Sequence, residues 1–72
     1  MLNEELLEAF LNYRRNTGEN PDRLRMNPIY FRNLLEEMDY PEWIIKKKEA
    51  EKKKNIFGVP VELTDVVEKF EM

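Results

Sequence analysis

The groups that could do chemistry in this chain are few in kind. Histidine and cysteine are absent from its 72 residues, and the sequence contains no serine. A nucleophile with its base would have to come from Thr17, Thr64 and carboxylates. The imidazole that most often serves as a base near neutral pH is missing. Only carboxylate, lysine or tyrosine chemistry remains. The adjacent pairs Glu4/Glu5 and Glu36/Glu37 do not form a two-carboxylate site, because neighbouring positions diverge by about 100° around a helix axis. Residues 16–22 carry several side-chain oxygens. Their spacing departs from a calcium-binding loop, and the distal bidentate glutamate is out of register. Without cysteine no thiolate zinc site can form. The sequence therefore reads as a non-enzymatic protein with no cofactor and no metal.

Two clusters remain. Lys46, Lys47, Lys48, Lys52, Lys53 and Lys54 face only Glu49 and Glu51, which leaves this stretch at +4 on a chain of net charge −3. Such a cluster can contact nucleic-acid phosphates. It can equally be a solvated face, since no aromatic residue is interleaved beyond Trp43. The second cluster is Tyr40, Trp43 and Ile44, followed by Ile45. These side chains either enter the core or anchor an interface, where Trp and Tyr dominate binding energy.

The elements that must position these groups follow from periodicity and capping. Leu2, Leu6, Phe10 and Tyr13 predict an amphipathic helix over 3–16, widened by Leu7 and Leu11. Asn3 is its expected N-cap and Gly18 its terminator. Residues 23–26 alternate polar and apolar, which predicts a short strand with Leu24 and Met26 inward. Asn27 then caps a helix with Pro28 at its first position. The apolar stripe of that helix is Phe31, Leu34, Leu35 and Met38, and Arg32 pairs with Glu36. Asp39 and Glu42 resemble a capping box for a third helix over about 41–54. The lysine-rich end of that helix has no apolar support and is expected as a solvated helix extension or a mobile arm. Val59, Val61 and Leu63 alternate with Pro60 and Glu62, predicting a strand that returns beside the first. Pro60 suggests either an edge position or an N–H side that faces solvent there, and Gly58 a bulge. In the tail, Asp65 with Glu68 suggests a capped helical turn, while Val66, Glu68 and Phe70 equally suit a last strand; of the two, a turn followed by a short strand at 68–71 is favoured.

Composition bounds the rest. A chain this short makes one small α+β domain, 1–72, and buries only about 60% of its unfolded surface. Self-association is a natural supplement to so small a core. No run approaches the roughly 18 apolar residues of a membrane span. The opening Met-Leu-Asn-Glu-Glu is acidic where a signal peptide is basic. With no cysteine, a cytoplasmic, intracellular setting is expected.

Residues Pro21 to Pro28, PDRLRMNP, and Phe57 to Val61, FGVPV, resemble a segment of tailed-phage major capsid proteins. In that family a strand ending near an Asn-Pro step enters a helix, and an aromatic-Gly-hydrophobic-Pro-Val stretch begins the returning strand. The resemblance covers about half the chain. It implies a small phage or prophage protein with a reduced strand–helix–strand unit. The long spine helix and extended loop that let capsid subunits tile a shell have no counterpart here.

The sequence thus predicts an α+β fold of two to three helices packed on a small sheet of two or three short strands. Its expected role is a protein-interaction module, phage-encoded and structural, adaptor or inhibitory, with another protein or itself as partner. The competing role is accessory nucleic-acid binding through residues 46–54.

Overall fold

The computed structural model describes residues 2–72. Helix α1, Leu2–Thr17, carries Glu4 and Glu5 in its first turn and Arg14 and Arg15 in its last. Each charge sits at the end of the helix dipole that favours it. Gly18 closes the helix at φ +76, with its N–H donating to Arg14 O at 2.7 Å. A side chain would be strained in this left-handed conformation. The other end differs from the sequence expectation. Asn3 lies inside the first turn, and the Leu2 and Asn3 N–H groups donate to Glu37 at 2.8 and 3.3 Å. The cap is a carboxylate from another helix, which also ties the two helices together.

Strand β1, Leu24–Met26, runs into helix α2, Pro28–Glu37. Asn27 is the N-cap as predicted, accepting from Ile29 N at 2.8 Å. It also serves the tail: its side-chain amide donates to Val67 O and its backbone N–H to Lys69 O. Helix α2 ends in a Schellman turn. Tyr40 N donates to Leu35 O, Asp39 N donates to Glu36 O, and Asp39 holds φ +64. Asp39 therefore terminates α2 and does not cap the next helix. Helix α3, Glu42–Ala50, has Pro41 at its N-cap and no side-chain cap, so the expected capping box is absent. It also ends at Ala50, not near 54.

The lysine-rich segment is recaptured by the sheet. Lys54–Ile56 form β2, which is joined to β3, Val59–Leu63, by Phe57 and Gly58. Both turn residues have positive φ, +53 and +77, the signature of a type I′ hairpin. Gly58 is thus a turn residue and not a bulge. Phe70–Glu71 form β4, within the predicted tail strand.

The strand order is β2-β3-β1-β4. Strands β1 and β3 are parallel, with Leu24 opposite Val61 and Met26 opposite Leu63. The β2–β3 and β1–β4 pairs are antiparallel. The sheet has four strands where two or three were expected, and β3 is interior, not at the edge that was one reading of Pro60. Register resolves the proline. Ile56 pairs with Val59 next to the turn, so Asn55–Pro60 is the non-hydrogen-bonded pair. The Pro60 nitrogen then points away from β2, one position before the β1 ladder begins.

Helices α1, α2 and α3 pack on this sheet. Leu6, Leu24, Met26, Leu34 and Ile45 are fully buried, and Leu35 and Val59 nearly so. Val61 is half-buried. Tyr30 of α2 is only 6% exposed. Its hydroxyl donates to Leu2 O at 3.2 Å. Its ring tilts against Phe70 at 5.5 Å. No described helix is long and apolar enough to cross a membrane.

Candidate functional site

Helices α2 and α3 and the β2–β3 hairpin enclose an apolar cleft of about 220 Å³. Its floor is core material: Phe31, Leu34 and Leu35 from α2, and Ile56 from β2. Met38, Tyr40, Lys48, Glu51, Lys54, Asn55 and Phe57 stand around the rim. Each wall has a local cause. The Schellman turn delivers Tyr40 to the rim. The burial of Ile45 turns α3 so that Lys48 reaches back over the cleft. The I′ hairpin places Phe57 at its tip.

The structure divides the Tyr40, Trp43 and Ile44 cluster. Tyr40 lines the cleft and is 37% exposed. Trp43 does not line it and is 68% exposed, while Ile44 is half-buried. Residues two apart on a helix are separated by about 200°, so burying Ile45 turns Trp43 to solvent.

The lysines are divided too. Lys46, Lys47, Lys52 and Lys53 are exposed, whereas Lys48 and Lys54 are half-buried at the cleft. Lys48 Nζ stands 5.1 Å from the centre of the Tyr40 ring, a cation–π arrangement. Lys54 Nζ donates to Glu51 O, a backbone carbonyl. None of the six lysines forms an ion pair with a carboxylate among the described residues.

Glu49, one of the two carboxylates in this stretch, is engaged elsewhere. Arg32 gathers Glu36 at 3.3 Å, Glu49 at 2.8 Å and Glu42 in close contact. The hydrogen bond to Glu42 is the main influence holding the Arg32 guanidinium above its usual pKa. Only the Glu36 pair was visible at helical spacing. The other two join α3 to α2 and fix the cleft wall.

Phe57 is the residue that sequence reasoning missed. It is 53% exposed at φ +53, a position that usually takes Asn, Asp or Gly. Its ring meets Phe10 of α1 edge-on, with centroids 5.3 Å apart. This contact helps offset the cost of a left-handed non-glycine residue, about 1–2 kcal/mol. The signal in the sequence was Gly58 two residues after a β-branched position, which suits a two-residue hairpin.

Compared with protein-family models, curated proteins and solved structures, the chain matches none.

Proposed function

We propose that this chain is a non-enzymatic protein-interaction module whose working surface is the cleft between α2, α3 and the β2–β3 hairpin. The observation that carries this reading is an apolar, core-lined cleft with Tyr40 and Phe57 exposed at its rim. Phe57 sits there in a backbone conformation that its residue type disfavours. Strain of this kind gathers where a side chain must be presented. Half-exposed aromatic rings are the side chains that most often anchor protein partners. A cytoplasmic setting and a structural, adaptor or inhibitory role in a phage belong to the same proposal. They are supported by the capsid-like residues 21–28 and 57–61, whose strands β1 and β3 lie side by side.

One observation favours the second reading, nucleic-acid binding. Lys46, Lys47, Lys52 and Lys53 are exposed without carboxylate partners among the described residues. The same sample can discriminate. Amide spectra are recorded while N-acetyl-tryptophanamide, a stand-in for a partner's aromatic side chain, is titrated in. A second titration uses mixed-sequence duplex DNA and single-stranded RNA. The cleft reading predicts that the indole probe moves Leu35, Tyr40 and Phe57. It predicts no saturable response of residues 46–54 to nucleic acid at physiological salt. A salt-sensitive nucleic-acid response at those lysines, with a silent cleft, overturns it.

A further inference from the structure

We propose that the occupant of the cleft is a second copy of this chain, presenting the exposed face of α1. This rests on the reading of the cleft as an interaction site and names its partner.

The first observation is α1 itself. Leu7 and Leu11 are 46% and 49% exposed although they lie one turn apart on one helix face. Glu4 and Glu8 are exposed as well. At 100° per residue the four side chains fall within about a 100° arc, leucines on one side and carboxylates on the other. Glu5 is paired with Lys69 at 3.3 Å, but Glu4 and Glu8 have no ion pair among the described residues. Helix α1 thus offers two leucines edged by unpaired negative charge.

The second observation is that the cleft is the converse. Its floor is apolar, and its rim carries Lys48 and Lys54, neither in an ion pair among the described residues, against one carboxylate, Glu51. Lys52 and Lys53 extend the positive edge. At about 220 Å³ it exceeds the volume of roughly 150 Å³ that holds a benzene-sized group. Leucine side chains would fill the floor while Glu4 and Glu8 meet the lysines. The third observation is placement. Phe57 lines the cleft and also touches Phe10, which sits about 60° around the α1 axis from Leu7, on the buried side. The two surfaces therefore adjoin, and two copies can exchange α1 faces across a two-fold axis. The result is a closed dimer and not an open chain.

Charge exchange tests this with the full chain. One variant carries Glu4→Lys and Glu8→Lys, the other Lys48→Glu and Lys54→Glu, with circular dichroism to check folding. Sedimentation equilibrium of the native chain should show a monomer–dimer equilibrium. Each variant alone places like charges across both contacts and should dimerise about tenfold or more weakly. An equimolar mixture restores both contacts and should recover native affinity. Leu7→Gln with Leu11→Gln, at exposed positions, should abolish dimerisation and leave helicity intact. If Lys48→Glu with Lys54→Glu fails to fold, Lys52→Glu with Lys53→Glu replaces it. A native chain that stays monomeric, or a mixture that recovers nothing, overturns the proposal. A monomer whose cleft still binds the indole probe overturns self-docking alone. A chain that does neither overturns the interaction reading as well.

Discussion

Helix α3 hangs on one fully buried side chain. Among its 9 residues only Ile45 is buried, at 1% exposure. Ile45→Ala removes three carbons. At about 0.8 kcal/mol per buried methylene this costs about 2.4 kcal/mol. A residual cavity would add about 1–2 kcal/mol if the surroundings did not collapse. Because α3 has no second buried anchor, it can undock, which limits the loss to about 2–4 kcal/mol. A domain of 72 residues has about 4–11 kcal/mol to lose. The variant should remain mostly folded, with its damage local. Hydrogen exchange read residue by residue should show residues 42–50 losing protection by more than residues 28–37 lose. Ile45→Val should cost only about 0.5–1.5 kcal/mol and leave the pattern intact. Uniform loss across both helices would refute the single-anchor account. So would unchanged protection in α3.

Leu34 is fully buried in the core beneath the cleft, so Leu34→Ala should lower stability globally by about 2–5 kcal/mol in urea titrations. An unchanged midpoint would refute the core assignment. Tyr30 is pushed from 10.0 up to about 12, by burial first and then by the charges of Glu5 and Glu37. A raised pKa means the native state holds the phenolic proton more tightly. The resulting stability is complete below pH 10 and is lost between pH 10 and about 12. Over that window the native chain should lose stability that Tyr30→Phe retains, as denaturation at a series of pH values will show. Glu37→Ala leaves the Leu2 and Asn3 N–H groups without their acceptor and should cost about 0.5–2 kcal/mol. Glu37→Gln should cost less, by the same measurement. Arg32→Gln should speed exchange in α3 at low salt. The effect should fade in high salt, where the carboxylates it leaves behind are screened.

What the sequence made legible was local. Asn27-Pro28 and the Phe31, Leu34, Leu35 stripe define α2, because caps and helical periodicity act within one or two turns. The parallel partner of β1 was visible in the alternation of Val59, Val61 and Leu63. The missed features depend on distant residues. Asp39 has the chemistry of an N-cap, yet its N–H and that of Tyr40 close α2 behind them, so a left-handed C-terminal turn won. Residues 51–54 lack apolar support as a helix, but Ile56 at 9% exposure drags the chain after them into the sheet. The hairpin turn was hidden because Phe57 replaces the usual turn formers. Its support comes from Phe10, 47 positions earlier. The candidate site was half legible. Tyr40 and the lysines were singled out, but the cleft needs α2, α3 and the hairpin assembled. Trp43, the most conspicuous residue by type, lies outside it.

The most direct test of self-docking at the cleft is an amide chemical-shift map over a dilution series, from roughly 1 mM to roughly 10 μM. The account predicts concentration-dependent, saturable shifts at Leu35, Tyr40, Lys48, Lys54 and Phe57, matched by shifts at Glu4 to Leu11. Residues 64–72 should stay still. Spectra that superimpose at every concentration, or shifts confined to the Trp43 face, would contradict it.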